Sequence, residues 1–390
     1  MMEKKAKIVK MWWKSCPEVN ELLKTKISVQ QFMIIVILFT VGTSILIYPA
    51  SVAAEAKQDA WITAILTTGI GLLFIWLFSA LGSIVPHLTL IEMCMKLLGK
   101  WLGTIAAIIF ISFFYYSTAA LLFYIGNFLT TQMMPDTPMI TPIILYLSIL
   151  ALGVYLGIET FARFAEVVFP IVILLLLILF LSSSPQFEFQ NFLPVFEVGI
   201  KPIIRGGILI FINSFLMPIT LLTIFPSHLN QTKQGRKAFI MGVFIGGIIL
   251  DIIIVISILV LGDYITSIEM YPSYVLAQKI NIGNFFQRIE AIMAIIWFIT
   301  IYIKMFIYFY GTVVGLANML KLRDYKPIVL PVGLTLVPFS LLMYPDVTYM
   351  QKWESTSWVP YALTIGIFLP LLLLGAAVFR KYILKENLQN

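Results

Sequence analysis

Cysteine and histidine are almost missing from this chain, with two of each in 390 residues. That scarcity excludes a disulfide-stapled scaffold and leaves a poor ligand set for a structural zinc ion. Cys16 and Cys94 both fall in stretches expected on the cytosolic side of a membrane, and His87 and His228 lie far apart on polar connections. Charge is scarce too. Asp, Glu, Lys and Arg make up 12% of the chain, where a soluble domain carries about 25%. A globule of this size lacks the polar surface that water requires. Enzyme signatures are wanting as well. Gly69-Ile70-Gly71 lacks the third glycine and the strand context of a dinucleotide loop, and neither a Ser-His-Asp set nor an HExxH helix is visible. Asp, Glu and His do not cluster inside the apolar stretches, which argues against a membrane enzyme. No catalytic residue, metal or cofactor is expected.

Apolar residues fill the space instead: 60% of the chain is hydrophobic, and the mean hydropathy is +0.98. They come in runs of helix length, such as Val36 to Ile47, Ile62 to Phe78 and Ile248 to Leu261. A spanning helix needs about 20 mostly apolar residues. Backbone groups cannot stay unpaired in lipid, so such runs are helices or barrel strands. Barrel strands alternate apolar and polar residues, and these runs do not. The reading is therefore an all-α integral membrane protein. Ten spans are expected at roughly 30–55, 60–84, 100–131, 139–157, 162–182, 203–226, 237–261, 285–317, 327–344 and 357–380. The connection near 262–284 is long enough for an interfacial helix, and Tyr271, Pro272 and Tyr274 look suited to a membrane interface.

Loop charge supports the count. The net charge is +7, and seven lysines (from Lys4 to Lys26) precede the first apolar run. Next to a spanning helix, such a tract reads as a cytosolic flank rather than a nucleic-acid contact. No cleavable signal peptide is expected there. Lys96, Lys100, Arg163, Lys233, Arg236 and Lys237 fall on the same side, followed by Lys321, Arg323, Lys326, Arg380, Lys381 and Lys385. Acidic Glu55, Asp59, Asp136, Glu188 and Glu197 lie opposite, with Asp263, Glu269, Asp346 and Glu354. The positive-inside rule places both termini in the cytosol.

Two spans look broken. The first carries Gly42-Thr43-Ser44 in mid-membrane and then Tyr48-Pro49; the sixth begins near Gly206-Gly207 and carries Asn213-Ser214, Pro218 and Pro226. Paired interruptions at matching places in two halves point to a binding site between inverted repeats. The expected organisation is a basic tail (1–28), a first five-helix repeat (29–184), a second (185–381) and a short C-terminal tail (382–390).

The ordered features resemble the B subunits of bacterial spore germinant receptors, within the amino acid–polyamine–organocation transporter superfamily. The resemblance rests on Ile27-Ser28-Val29-Gln30-Gln31-Phe32 entering span one, Gly42-Thr43-Ser44-Ile45-Leu46 with Pro49 inside it, and Asp59-Ala60-Trp61-Ile62 opening span two. Pro226, Arg288-Ile289-Glu290 and Trp297 continue it. It implies a ten-helix, five-plus-five inverted-repeat fold of the LeuT type in the spore inner membrane. It further implies A-type and lipoprotein C-type partner subunits. The germinant it implies is a small molecule, an amino acid such as L-alanine or in some receptors a sugar or nucleoside, whose binding triggers germination. Asn213-Ser214-Phe215 replaces the glycine-containing break that the superfamily pattern has in span six. A secondary amino acid transporter would share the same site and fold, and stands as the alternative.

The candidate ligand-binding residues are Gly42, Thr43, Ser44 and Ile45 from span one, and Asn213, Ser214 and Phe215 from span six. An unwound turn exposes N–H groups and a half-helix N-terminus that attract a carboxylate. Packing of small residues is the alternative for Gly42. Thr300, Lys304 and Tyr308 share one face of span eight. A mid-membrane ammonium faces a cavity or a partner, and Asp251 in span seven is the candidate counter-ion. Tyr115 and Tyr116 are weighed as cavity lining against plain packing. Glu159, Arg163 and Glu166 read as local ion pairs, and Gly99/Gly103, Gly153/Gly157, Gly242/Gly246 and Gly311/Gly315 as helix contacts.

Overall fold

The computed structural model describes residues 26–229, 231–280 and 288–382. The basic tail with Cys16, the start expected for span eight at 285, and Lys385 lie outside those residues. Among the described residues, seven helical stretches are long and apolar enough to cross a membrane, and three shorter apolar helices accompany them, Val29–Val41, Ile140–Leu156 and Lys326–Leu342. Span one is α1 (Val29–Val41) followed by α2 (Ser44–Ala56); spans two to five are α3 (Ala60–Ile84), α4 (Leu90–Phe128), α5 (Ile140–Leu156) and α6 (Ile158–Ser183). Span six is α7 (Ile200–Ile210), a π-helical turn (Phe211–Leu216) and a 3₁₀ segment (Met217–Thr223). Span seven is α8 (Thr232–Ile268); after the short α9 (Pro272–Lys279) come span eight, α10 (Glu290–Leu320), and span nine, α11 (Lys326–Leu342). Span ten is α12 (Val347–Trp353), a π-helical turn (Glu354–Trp358), α13 (Val359–Leu363), a second π-helical turn (Thr364–Phe368) and α14 (Leu369–Tyr382).

The entry motifs have local work. Ser28 caps α1: its hydroxyl accepts from Gln31 N at 3.0 Å, and the Gln31 side chain accepts from Ser28 N at 3.0 Å. This reciprocal box supplies partners to backbone donors that a helix start leaves without any. Asp59 does not cap α3. Its carboxylate accepts from Phe196 N at 2.7 Å and Val198 N at 3.4 Å, so it holds the loop that leads into span six. Trp297 is buried against Phe128, with ring centroids 4.9 Å apart.

Several glycine pairs are helix contacts. Cβ atoms added at Gly242 and Gly246 would meet Val36 and Thr40 of α1, and at Gly311 and Gly315 would meet Phe114 and Ile111 of α4. Gly99 and Gly157 have another role. They adopt φ of 81° and 91°, conformations that favour glycine; Gly99 kinks α4, and Gly157 turns the chain between spans four and five.

Three expectations are corrected. The α9 segment forms, but Tyr271 and Tyr274 are buried against Phe128, and Asn127 donates to the Tyr271 hydroxyl at 2.8 Å. A tyrosine whose hydroxyl finds a protein partner has no need of the interface. Glu159 and Glu166 accept from Lys26 N (3.1 Å) and Gln31 Nε2 (2.8 Å), tying span five to the start of span one. No ion pair to Arg163 occurs among the described residues. Finally, His228 is buried, not on a polar loop. Its Nδ1 lies 2.9 Å from Ser227 Oγ, its Nε2 lies 3.4 Å from the Tyr310 hydroxyl, and burial pushes its pKa down to about 4.

Candidate functional site

Span one breaks between α1 and α2. Gly42 ends α1 with φ 33° and ψ −125°, while its N–H still reaches Leu38 O. A Cβ here would sit 2.7 Å from Lys304 Cδ, so both backbone shape and the close approach of a lysine select glycine. The Gly42 carbonyl, freed from the helix, accepts from Thr300 Oγ1 at 3.0 Å. Ser44 opens α2, and its hydroxyl lies 2.6 Å from that of Ser214 in the π-helical turn of span six. The two predicted breaks therefore touch. Ile45 O accepts from Ser273 Oγ of α9 at 2.6 Å, which anchors the second half of span one.

Lys304 is buried beside this junction. Its ammonium donates to Asn213 O at 2.8 Å and stands 5.4 Å from the Phe39 ring centroid. A π-helical turn leaves backbone carbonyls short of partners, and the ammonium satisfies one of them. Asp251 is not its counter-ion. That carboxylate accepts from Thr68 Oγ1 at 3.1 Å between spans two and seven, and no Lys304–Asp251 ion pair occurs among the described residues. The lysine has a carbonyl and an aromatic face where a carboxylate was expected.

A cavity opens at the junction. Thr43, Asn213, Lys304 and Tyr308 line it, so four of the ten expected site residues meet there. It offers about 30 Å³ to the centres of water molecules, room for roughly two or three waters. Gly42, Ser44, Ile45, Ser214 and Thr300 build the wall behind it through the contacts given above. Phe215 points elsewhere. It is fully buried and would meet Cβ atoms added at Gly71 or Gly247, so it packs towards spans two and seven.

The far wall comes from spans three and ten. Tyr116, Ser117 and Tyr124 reach in from α4, Tyr344 follows α11, and Glu354 and Trp358 come from the π-helical turn of span ten. Tyr124 donates its hydroxyl hydrogen to Glu354 Oε1, and the Tyr116 and Tyr344 hydroxyls are 2.7 Å apart. Tyr48, one turn into α2, completes this side. Sequence reasoning found Tyr116 and missed Glu354, which it placed in an outer loop. Span ten starts at Val347 instead of 357, so Glu354 faces inward. The nearby Trp353 and Trp358 were the available signal. Tyr115 turns aside to Thr335, donating to it at 3.0 Å.

Residues 26–348 match a sequence model described as "Spore germination protein". Spore germination protein KB of Bacillus subtilis (strain 168) is 28% identical over 366 residues, covering 92% of this chain and 96% of the relative. YndE of the same organism is 27% identical, covering 92% and 98%, and spore germination protein A2 is 28% identical, covering 89% and 93%. Among solved structures, MhsT in complex with L-phenylalanine superposes with a TM-score of 0.64 at 14% identity, over 90% of this chain and 98% of that one. Mhp1, a nucleobase-cation-symport-1 family transporter in a closed conformation with bromovinylhydantoin bound, gives 0.61 at 10%, over 92% and 79%. At those identities the likeness establishes the fold, an all-α transporter architecture with broken spans one and six.

Proposed function

Because this chain belongs to the spore germination protein family, we propose that it is the membrane subunit of a nutrient-germinant receptor and that its cavity holds the germinant. The observation that carries this reading is the Ser44–Ser214 contact of 2.6 Å, which joins the two helix breaks beside a cavity that Thr43, Asn213, Lys304 and Glu354 help to line. Small solutes are held at such junctions by half-helix termini and freed backbone groups. The germinant is a small molecule, with an amino acid such as L-alanine as the first choice. MhsT, solved in complex with L-phenylalanine, supports that choice.

In this reading the protein sits in the spore inner membrane with both termini in the cytosol. It works beside A-type and lipoprotein C-type subunits, and residues 29–184 and 185–381 are its two inverted repeats. Ligand binding changes how the broken spans pack, and the partner subunits receive that change. The test is germination of spores carrying Thr43→Val, which keeps the side-chain volume and removes the hydroxyl. A rightward shift in amino acid dose at normal protein level is expected. An unchanged dose response would place the germinant outside this cavity.

Secondary transport is the second reading, favoured by the transporter fold of the solved neighbours. Concentrative uptake of a labelled amino acid into proteoliposomes holding this chain alone would move the assignment to it.

A further inference from the structure

The two ends of the cavity differ in chemistry. At one end lie the N-terminus of α2, the Lys304 ammonium and the Thr43 hydroxyl. Thr43 Oγ1 is buried and has no hydrogen-bond partner among the described residues. Ser117 Oγ and Trp358 Nε1 also line the cavity and are buried without partners. Glu354 marks the other end, among Tyr48, Tyr124 and Tyr344. Tyr124 donates to one of its oxygens, and no other hydrogen bond or ion pair to it occurs among the described residues. Glu354 is half-buried, and a carboxylate with one hydroxyl donor keeps acceptor capacity for a cationic partner.

We infer that Glu354 receives the ammonium group of the germinant, so that the cavity reads a small α-amino acid as a zwitterion. This rests on the cavity being the germinant site. The ligand carboxylate lies at the start of α2 against the Thr43 hydroxyl and near Lys304. Its ammonium lies against Glu354 and the surrounding tyrosine oxygens. Lys304 approaches span one at Gly42, and Glu354 lines the cavity with Tyr48, six residues further along that span. The cavity's small volume favours a short side chain. Glu354 also lies beyond residues 26–348, the part that the family's sequence model matches.

The experiment is thermal-shift titration of the purified full-length protein with each of the twenty amino acids, repeated for Glu354→Gln and for Ser28→Ala, which removes the α1 cap and does not line the cavity. Gln keeps the shape and can still accept from Tyr124. Binding of a small amino acid to wild type, weakened at least tenfold by Glu354→Gln and held within threefold by Ser28→Ala, is the expected result. The deaminated acid of that ligand, propionate for alanine, should bind no more weakly to Glu354→Gln than to wild type. Equal amino acid affinity in wild type and Glu354→Gln would overturn the inference and leave the germinant reading standing. Absence of any shift with all twenty would overturn the inference together with the amino acid choice it rests on. Should Glu354→Gln fail to fold, Glu354→Asp takes its place, and unchanged affinity there would count against the inference.

Discussion

Single residues decide how the junction is built. Lys304 was legible in the sequence as a cation that needs a partner, but its partner was not. Counter-ion pairing is a matter of approach, and Asn213 supplied a backbone oxygen that no residue name announces. A Lys304→Met variant should therefore lose stability, and Asp251→Asn should not rescue it, because Asp251 answers to Thr68. A double-mutant cycle of melting temperatures should give a coupling within about 0.5 kcal/mol of zero, the scatter expected of independent sites. Restoration of the melting point by the second change would reinstate the ion pair. Thr300→Val strips the Gly42 carbonyl of its hydroxyl donor. A loss of about 1–3 kcal/mol is expected for that buried acceptor, and thermal unfolding in detergent reads it. His228, outside the spans, gives a pH signature. Its folded pKa of about 4 lies below its ordinary 6.5, so the unfolded chain binds more protons between those values. The neutral-His contribution is complete above pH 6.5 and is lost as pH falls towards 4. Replacing His228 with Asn should flatten that part of the melting-temperature profile.

At the scale of elements, the breaks in spans one and six were readable because glycine, proline and small polar residues interrupt otherwise apolar runs. What could not be read was which side chains the breaks turn inward. Phe215 stands next to Ser214 in sequence, yet the π-helical turn sends Ser214 to Ser44 and Phe215 towards Gly71 and Gly247. The start of span ten was misplaced for a related reason. Glu354 and its polar neighbours look like a loop until a cavity is present to receive them. The account predicts that the two breaks move relative to each other when ligand acts. Ser44→Cys with Ser214→Cys should form a disulfide, since the parent hydroxyls are 2.6 Å apart. Oxidised spores should fail to respond to amino acids and recover after reduction. A full response with the bond intact would show that the breaks need not separate. The Ser28 cap offers a control away from the cavity. Ser28→Ala should cost about 1 kcal/mol and leave ligand affinity unchanged.

For the whole molecule, hydropathy and loop charge were enough to predict ten spans, and the ordered motifs pointed to a family that the comparisons bear out. Side-chain polarity alone did not reveal that spans three and ten close the cavity, since that wall forms only in three dimensions. The lysine and arginine asymmetry predicts cytosolic termini. Reporter fusions after Lys100, Arg236 and Lys326 should all report cytosol, and an external signal at Arg236 would invert every later connection. The central claim is that the germinant occupies the cavity between the two breaks. Its most direct measurement is the labelling rate of Thr43→Cys by a small thiol reagent in the purified protein otherwise lacking Cys16 and Cys94, with and without each amino acid that triggers germination. The account predicts that such an amino acid slows labelling at position 43 and leaves a cysteine at the exposed Tyr264 position unaffected. Equal labelling of Thr43→Cys with and without every triggering amino acid would contradict it.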